Sequence, residues 1–492
     1  MMTKFPLSLQ ISERRMLLMV GDLFAIAIAI LISLAVWALV GSKVSFQVFI
    51  LEQIRWFVAL PLLWFILAHA NDFYNLRVAA DLRASLMRLF QITLLNWIVY
   101  LGIYFLSPPN SLPRLFILYY GIISLAFIGL WRLTHRAVIG WHGWRRRALI
   151  VGTGESSKAI IRVIRSSLAS HYNLVGCVAD KAPGASKLAL TVKTNLDPPD
   201  IIGVPILEHE HGLRGLVKQL NVSEIILATD DRPTGQTGNP PYMMTEIIFH
   251  GLMDCYEIGV PIIPMPILYE QITGRVPVRH IGDHWATVLP MEPRSVFDPY
   301  PILKRLLDSI LAIIGLIIFS MMLPFLAIII YLDSQGSIFY RQIRVGRYGI
   351  PFEVWKLRSM IPDAEKYSGA KWASQADKRI TRVGHFLRRT RLDELPQLIN
   401  VIRGEMSFVG PRPERPVFVA ELQQHIPFYR SRHVVLPGLT GWAQVNFRYS
   451  SSIEDALTKL QYDLYYIRHR SLSLDMTIML KTIAVLLKMK GT

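Results

Sequence analysis

Four long apolar stretches dominate the hydrophobic pattern of the first part of the chain. They span residues 16–40, 46–70, 89–106 and 115–131. Each is about long enough to cross a hydrocarbon core of roughly 30 Å as a helix. No charged pathway of the kind that pumps need runs through them. The pattern therefore predicts a four-helix transmembrane bundle over residues 1–140 that serves as an anchor.

Basic residues predict the orientation of this bundle. They cluster before the first stretch, after the second and after the fourth, at Lys4, Arg14, Arg15, Arg77, Arg83, Arg88, Arg132, Arg136 and Arg145 to Arg147. The other two loops hold little beyond Lys43 and Arg114. Because cytoplasmic loops are enriched in Lys and Arg, both ends of the bundle are predicted to face the cytoplasm.

From residue 146 the pattern changes to short apolar runs that alternate with amphipathic segments. Strand-like runs lie at 148–151, 174–178, 223–228 and 260–266, and helix-like segments lie between them, the clearest at 213–220 and 241–258. Such alternation is typical of a parallel sheet covered by helices. It predicts a Rossmann-like α/β domain over residues 146–266.

The first strand of this domain leads into a partial dinucleotide fingerprint. Gly152 and Gly154 match its first two glycines, and Asp180 is a candidate for the acid after the second strand. Ser157, however, stands where the third glycine belongs, and Asp180 lies rather far along the chain. Nucleotide binding by these residues is one hypothesis. A degenerate module used for regulation or for forming a homodimer is the favoured one.

A Pro-rich connector over residues 267–300 leads to a fifth apolar segment at 303–332. Pro324 lies inside this segment, where a proline removes a helix hydrogen bond and kinks the axis. A crossing here would also export the basic C-terminal part of the chain. The segment is therefore predicted to form a re-entrant membrane hairpin. The charged residues at its start are Lys304, Arg305 and Asp308.

Charged residues in the last part of the chain surround an adjacent acidic pair, Asp393 and Glu394. Guanidinium groups bind phosphate oxygens through paired hydrogen bonds. One carboxylate can hold Mg²⁺ while its neighbour attacks phosphorus, and nearby arginines are expected to keep the pKa of the nucleophile low. A solvated cationic helix face is the ordinary alternative for an isolated acidic pair. The basic candidates for substrate binding are Lys356, Arg358, Arg379, Arg382, Arg388 and Arg412.

An amphipathic helix is predicted to begin close to the acidic pair. Its expected buried stripe is Leu395, Leu398, Ile399 and Ile402. Two strand-like runs around Gly346–Gly349 precede it, and further helical patterns follow it. Together these elements predict an α+β catalytic domain over residues 301–492, held at the membrane by the hairpin.

Composition supports a membrane protein with an anionic partner. Of the 492 residues 52% are hydrophobic, the mean hydropathy is +0.34 and the net charge is +17. This charge suits a phospholipid surface, a nucleic acid or a phosphorylated substrate. A nucleic-acid role is rejected, because the basic residues form no stripe interleaved with stacking aromatics. Cys177 and Cys255 lie far apart and offer neither a disulfide framework nor a zinc site.

Short motifs follow one another in a fixed order after Lys304. They are FYRQIRVG at 339–346, WKLRSM at 355–360, RITRVG at 379–384, TRLDELPQLINVIRGEMS at 390–407, VGPRPERP at 409–416, PGLTGWAQV at 437–445 and YDLYYI at 462–467. In this order they resemble the bacterial sugar transferases, the monotopic polyprenyl-phosphate phosphoglycosyl transferases. The resemblance covers residues 301–492, and the preceding bundle and α/β unit look like the long form of that family.

The resemblance implies a two-step reaction with UDP-hexose and undecaprenyl phosphate. The family's catalytic dyad falls on Asp393 and Glu394. Asp393 would attack the sugar-bearing phosphate and expel UMP, and the lipid phosphate would then take the sugar phosphate from Asp393. Glu394 would bind Mg²⁺. The positions that would contact phosphates or uridine are Lys356, Arg388 and Arg412.

The resemblance also implies a location. Pro324 falls on the helix-breaking proline of the family's re-entrant hairpin, although Leu323 stands where some relatives have serine. The catalytic domain would lie on the cytoplasmic face of a bacterial inner membrane, in contact with the lipid bilayer. The step would begin the synthesis of an exopolysaccharide, a capsule or an O-antigen, with glucose or galactose as the leading sugars.

Two other classes of function remain as alternatives. A membrane-anchored nucleotide-sugar dehydratase or epimerase would need a second glycine-rich fingerprint and a Tyr-x-x-x-Lys pair beyond residue 300, and the fingerprint is absent there. A non-catalytic regulator of polysaccharide export would explain the bundle and the α/β unit. It would not explain an acidic pair flanked by arginines.

Overall fold

The computed structural model describes most of the chain in segments. These are residues 11–41, 58–69, 71, 73–74, 78–79, 81–106, 116–139, 145–169, 171–179, 201–207, 212–228, 246–280, 298–362, 364, 379–447 and 452–487. The chain forms two compact units. The first comprises Met1–Thr273 with His280–Asp283, and the second comprises Gly274–Arg279 with His284–Thr492. The finer domain boundaries proposed from the sequence stay predictions.

Apolar helices open the first unit. They are α1 (Ile11–Gly41), α2 (Val58–His69), α3 (Leu82–Leu106) and α4 (Phe116–Ile139). By length and composition α1, α3 and α4 can each cross a membrane. In the second predicted stretch, residues 46–57 lie outside the described residues, and α2 is the part that is described. Long apolar helices are therefore confirmed at three of the four predicted stretches.

An ion pair is buried among these helices. Arg132 Nη2 lies 2.6 Å from Asp22 Oδ2, and the two side chains are 2% and 0% exposed. The Arg132 guanidinium also lies over the Phe73 ring, 3.9 Å from its centroid. The sequence analysis placed Arg132 after the fourth helix, which is wrong, because α4 continues to Ile139. A charged side chain inside one apolar helix thus pairs with a side chain of opposite charge inside another helix.

A parallel sheet follows in the same unit. Its order is β3-β2-β1-β4-β5, and each neighbouring pair is parallel. The central strand is buried at Leu149, Ile150 and Val151, as expected of a strand covered on both faces. The elements are β1 (Arg146–Val151), α5 (Glu155–Ser167), β2 (Tyr172–Val178), β3 (Ile206–Leu207), α6 (Gly212–Gln219), β4 (Glu224–Leu227), α7 (Glu246–Glu257), β5 (Ile262–Pro264) and α8 (Met265–Thr273). The predicted parallel sheet is confirmed.

The end of this sheet differs from the prediction. The last predicted strand was expected to continue to residue 266, but β5 ends at Pro264 and α8 begins at the next residue. Met265, Leu268 and Tyr269 are buried on one side of α8. Their spacing of three and four residues is helical, and it was hidden by the prolines around it.

The second unit combines helices with two small sheets. β6 and β7 form an antiparallel hairpin at the predicted position, and β8 pairs with β9 in parallel. The elements are α9 (Tyr300–Asp333), β6 (Phe339–Val345), β7 (Pro351–Leu357), α10 (Arg382–Thr390), α11 (Leu398–Arg403), β8 (Ser407–Val409), α12 (Pro416–His425), β9 (Gly438–Thr440), α13 (Trp442–Asn446), α14 (Ile453–Arg468) and α15 (Leu472–Leu487).

Polar contacts fix the first turns of α9 to this unit. Lys304 Nζ lies 2.8 Å from Asp475 Oδ2. Arg305 donates to two carbonyls in the last turn of α11, at 2.6 and 2.7 Å, where helix carbonyls lack backbone partners. Asp308 accepts a hydrogen bond from the Phe408 backbone N–H at 3.1 Å. The three charged residues flanking the apolar segment therefore hold it to the folded domain.

The far end of α9 contacts the same unit. Leu326 and Ile330 belong to one apolar cluster with Leu387 of α10. Asp333, the last residue of α9, accepts a hydrogen bond from Val383 N at 2.9 Å. Pro324 lies inside a single helical segment. Both ends of this apolar helix are thus attached to one domain, and the predicted hairpin stays a prediction.

The other face of α9 is apolar and open. Large side chains are exposed from its first turn to its last, including Ile302 at 75%, Met321 at 72%, Phe325 at 70% and Leu332 at 78%. An apolar face of this length marks a membrane or protein contact. Because α9 is also long and apolar enough to cross a bilayer, a lipid contact is the natural fit.

Candidate active site

The acidic pair lies in a 3-10 turn, Leu392–Gln397, that joins α10 to α11. Arg391 ends α10 with a left-handed φ of 57°, an uncommon conformation for a residue with a side chain. Thr381 caps the start of α10 by accepting a hydrogen bond from Gly384 N at 3.0 Å. A Cβ on Gly384 would lie 2.0 Å from the Ser359 carbonyl oxygen, so glycine is required where α10 crosses the segment after β7.

The helix after the pair is shorter than predicted. In α11 the buried apolar residues are Leu398 and Val401, whereas Ile402 is 37% exposed, so the predicted stripe is wrong at Ile402. The 3-10 turn has three residues per turn, which shifts the face that the next helix buries. Asn400 is fully buried and donates to the Glu353 carbonyl at 2.7 Å.

Glu394 lies among three cationic side chains. Its carboxylate accepts from Lys356 Nζ at 2.9 Å and from Arg412 Nη2 at 2.5 Å, and Arg391 Nη1 lies 3.6 Å away. Burial alone would raise the pKa of Glu394. The nearby cations, Arg412 first, outweigh that effect and hold the pKa well below its usual value. Glu394 is therefore ionised throughout the physiological range.

Asp393 has a different environment. It is 6% exposed, and no described residue donates a hydrogen bond to its carboxylate. Burial, followed by the negative charge of Glu394, raises the pKa of Asp393 to about 6 against the opposing effect of Lys356, Arg388 and Arg412. The expectation of a low pKa is therefore wrong for Asp393, because burial and the negative charge of Glu394 outweigh the cations. At neutral pH Asp393 is still mostly ionised and has free lone pairs.

Three of the predicted substrate-binding residues gather at the pair. Lys356 projects from β7 and Arg412 from the loop after β8, and both bind Glu394. Arg388 lies on α10, donates to Ser359 Oγ at 3.0 Å and stabilises the charge of Asp393. The elements that meet here come from residues 356 to 412, which explains why the site could not be traced within one motif.

The other three predicted residues make different contacts. Arg358 donates to the carbonyls of Ser334 and Gln335 just after α9 ends, so it caps that helix. Arg379 donates to the Ala364 carbonyl at 3.3 Å. Arg382 is exposed at the start of α10, where its charge interacts favourably with that of Asp333 at the end of α9. A substrate-binding role for these three stays a prediction without a described contact to the acidic pair.

The sequence analysis did not predict the contacts that support the site. Arg344 donates to the Pro413 carbonyl at 3.0 Å, and Arg432 donates to the Arg412 carbonyl at 2.8 Å. Arg432 in turn forms a buried ion pair with Asp463 at 2.8 Å. These contacts hold the loop that carries Arg412. Because the paired residues are far apart in the chain, no local spacing could have indicated them.

Comparison with known proteins identifies the family. A family model described as a bacterial sugar transferase matches residues 299–489, and one described as a CoA-binding domain matches residues 69–230. The UDP-galactose-lipid carrier transferase of Erwinia amylovora is 30% identical over 364 residues, which cover 71% of this chain and 69% of that protein. The chain belongs to the bacterial sugar transferase family. The resemblance stated from the motifs is thereby confirmed.

Two further relatives of this chain are named for other sugars. The UDP-N-acetylgalactosamine-undecaprenyl-phosphate N-acetylgalactosaminephosphotransferase of Aeromonas hydrophila is 39% identical over 48% of this chain and 54% of that protein. The UDP-glucose:undecaprenyl-phosphate glucose-1-phosphate transferase of Escherichia coli is 41% identical over 40% and 42%. The chain thus spans about half the length of these curated relatives. Their names share a lipid-carrier acceptor and differ in the sugar.

The acidic pair, Asp393 and Glu394, is compatible with Mg²⁺. No group of three His, Cys, Asp or Glu side chains that could hold a metal occurs in the described parts of the chain. Mg²⁺, however, is usually held by one or two carboxylates together with substrate phosphates and water. The cations nearest Glu394 Oε2 lie 3.4 and 3.6 Å away, longer than a close charge-assisted hydrogen bond, so this oxygen retains a lone pair for a metal.

The candidate nucleotide-binding residues of the α/β sheet are only partly described. Gly152 has a φ of +123°, and a Cβ there would lie 2.1 Å from the Ala228 carbonyl oxygen. Ser157, at the third-glycine position, is fully buried and donates to the same oxygen at 3.2 Å. Gly154 precedes α5, and Asp180 lies outside the described residues. Packing between β1 and β4 is sufficient to explain Gly152, and nucleotide binding stays a prediction.

Proposed function

We propose that this protein transfers a sugar-1-phosphate from a UDP-sugar to undecaprenyl phosphate. The products are undecaprenyl-diphosphate-sugar and UMP. The observation that carries this proposal is the Asp393–Glu394 pair, which lies among Lys356, Arg388 and Arg412 in the region that the bacterial sugar transferase model matches. The lipid-carrier names of the relatives support the same acceptor.

In the first step Asp393 acts as the nucleophile. One carboxylate oxygen attacks the sugar-bearing phosphorus of the UDP-sugar, the bond from that phosphorus to the bridging oxygen breaks, and UMP leaves with the electron pair. In the second step an oxygen of undecaprenyl phosphate attacks the same phosphorus and Asp393 leaves as the free carboxylate. Covalent catalysis of this kind divides one exchange into two in-line displacements. The absence of a described hydrogen-bond donor to Asp393 supports this role.

The surrounding cations stabilise the charge that moves during both steps. Arg412 and Lys356 are held in place by Glu394, and Arg388 by Ser359, so their donors need no rearrangement when the diphosphate arrives. Glu394 is the residue that would hold Mg²⁺. A bound divalent cation supplies charge neutralisation on the diphosphate.

The reaction is proposed to occur on the cytoplasmic face of the inner membrane. Both ends of α9 contact the same folded unit, which supports a segment that enters and leaves the bilayer on one side. Pro324, in the middle of the apolar segment, is the proposed bend. Such a re-entrant hairpin would hold the site at the height where a water-soluble UDP-sugar meets a lipid phosphate.

The sugar is proposed to be glucose or galactose. Relatives are named for glucose, galactose and N-acetylgalactosamine, so all three belong in a test. The product would start an exopolysaccharide, a capsule or an O-antigen. The model described as a CoA-binding domain covers β1 to β4 of the α/β sheet and ends before β5, and no described contact there supports a particular ligand.

The deciding experiment is UMP release by purified protein with Mg²⁺, undecaprenyl phosphate and each of the three UDP-sugars. We expect release with one sugar, and a loss of at least about 10³-fold in Asp393→Asn because the amide cannot act as the nucleophile. Glu353→Gln is the matched control, since Glu353 is an exposed carboxylate on β7. Equal release by Asp393→Asn would reject the mechanism, and no release with any sugar would reject the proposed function.

A further inference from the structure

A cavity of about 360 Å³ lies beside the acidic pair within the second unit. This volume is in the range of ligand sites, which is roughly 300–1,000 Å³. Its walls come from the membrane helix α9, from α11 and from the C-terminal helix α15. A site for a ligand of substantial size therefore adjoins Glu394, and the two-step chemistry described above does not account for it.

The lining of the cavity is almost entirely apolar. Leu311 and Ile314 lie on the α9 side, Leu398 on the α11 side, and Met479 and Val485 on the α15 side. Ile314 is also 50% exposed, so the cavity opens at the face of α9 that is apolar along its length. An apolar chain could therefore pass from a bilayer along α9 into this cavity without crossing water.

The charged end of the cavity is formed by Arg391 and Glu394. Arg391 Nη1 lies 3.6 Å from Glu394, longer than the 2.7–2.9 Å of a close charge-assisted hydrogen bond, so its guanidinium keeps donors for another anion. Arg391 is also the residue held at a φ of 57°, two positions before Asp393. Uncommon backbone conformations of this kind cluster at ligand sites.

We propose that this cavity binds the first isoprene units of the lipid acceptor, with the acceptor phosphate at Arg391. An apolar cavity with one cationic end matches a polyprenyl phosphate, which is an apolar chain with one anionic end. At roughly 30 Å³ per water-sized group, the volume holds about two or three five-carbon units. The rest of the chain remains in the bilayer along α9. The inference rests on the proposed function and adds the binding site of the second substrate, the lipid acceptor.

The first test fills the cavity from α15. Met479→Trp and Val485→Trp are expected to raise the KM for undecaprenyl phosphate at least tenfold. Exchange of labelled UMP into UDP-sugar, which needs no acceptor, should stay within about twofold of wild type. Ile483→Trp is the matched control, because Ile483 lies on the same helix, is 53% exposed and does not line the cavity. A wild-type acceptor KM in both cavity variants would overturn the inference.

A second measurement uses the wild-type protein and so does not depend on the folding of any variant. A diazirine-bearing polyprenyl phosphate in nanodiscs is expected to label the segment that contains Met479 and Val485, and excess undecaprenyl phosphate should suppress the labelling. Equal labelling of that segment by a diazirine-bearing phosphatidylcholine would mean a general lipid crevice. That result, or labelling elsewhere only, would reject the proposed site.

The two proposals fail in different ways. If the wild-type protein neither exchanges UMP nor releases it with acceptor, the proposed function fails before the cavity is tested. If it does both, and filling the cavity leaves acceptor use unchanged, the function stands and the cavity has another role.

Discussion

Two of the regions that hold buried charge in this protein differ in their balance of cations and anions. In the first unit Asp22 and Arg132 pair one to one among apolar helices, and both are almost fully buried. In the second unit the carboxylates of Asp393 and Glu394 share their surroundings with more cations than acids. These cations are Lys356, Arg388, Arg391 and Arg412.

The difference indicates which region is built to receive a ligand. The helix pair is neutral, so it requires nothing further, and it serves to join α1 to α4. At the acidic pair four cations and two ionised carboxylates leave two positive charges. An excess of positive charge among partly buried groups is unfavourable unless an anion neutralises it. The diphosphate of the proposed nucleotide-sugar substrate would be such an anion, so the same physics gives structure in one region and supports the proposed substrate binding in the other.

The largest expected effect comes from breaking the neutral pair. Arg132→Leu leaves Asp22 buried without a partner, which typically costs about 3–5 kcal/mol. We expect a marked fall in the thermal-unfolding midpoint in detergent and a low yield of folded protein. The double variant Asp22→Leu with Arg132→Leu should recover most of the loss, because replacing both members of a buried pair by apolar residues is often neutral. A single variant no less stable than the double variant would contradict a purely structural role.

The next effect concerns the geometry of the cations at the acidic pair. Arg412 reaches both oxygens of Glu394 with two nitrogens, and a lysine is a single point donor. Arg412→Lys is expected to lower kcat/KM for the UDP-sugar about 100-fold, which corresponds to about 2.7 kcal/mol of transition-state stabilisation. Arg389→Lys, an exposed position on α10, is the control. An unchanged kcat/KM in Arg412→Lys would mean that only the total charge matters, and equal losses in both variants would mean that the loss does not depend on the contact with Glu394.

The pH dependence tests the environment of Asp393. Its pKa of about 6 lies above the usual aspartate value, so the nucleophilic ionised form is lost as pH falls through 6. Acceptor-free UMP exchange should therefore fall about tenfold per pH unit below that point. Glu394 has a pKa well below its usual value and stays ionised over this range. If UMP exchange instead fell only near pH 4, the cations would act on the pKa of Asp393 more strongly than burial does.

A variant sharpens the same experiment. The charge of Glu394 raises the pKa of Asp393, so Glu394→Gln should move the acid limb to lower pH even though the maximal rate falls. A limb that does not move would show that the two carboxyl groups do not interact. UMP exchange between pH 4.5 and 8 measures both profiles.

The fold was largely predictable because its signals are periodic. Long apolar stretches indicated the helices, and alternating short runs indicated the parallel sheet. The start of α8 was missed, because prolines at 261, 264 and 266 obscure its helical spacing. The partnership of Asp22 with Arg132 was also missed. The residues are 110 positions apart, and only packing of α1 on α4 brings them together.

The sequence indicated which residues form the site but not how these residues are arranged. The motifs located Asp393, Glu394, Lys356 and Arg412, all of which meet in the structure. Which arginine faces the pair depends on the 3-10 turn and on the left-handed backbone at Arg391, and neither leaves a periodic pattern. The pKa of Asp393 was misjudged for a different reason. A count of nearby cations does not show how deeply the carboxyl group is buried, and burial has the largest effect on this pKa.

The smallest effect distinguishes two arginines on one helix. Arg388 and Arg382 are six residues apart on α10, and both were predicted to bind substrate. Arg388 stabilises the charge of Asp393, whereas Arg382 is exposed and interacts with Asp333. We expect Arg388→Ala to slow UMP exchange about tenfold and Arg382→Ala to change it less than twofold, since an exposed pair contributes about 0–1 kcal/mol. If Arg382→Ala were the slower variant, the bound substrate would have to reach the start of α10, and the charge excess at Glu394 would not by itself define where the diphosphate binds.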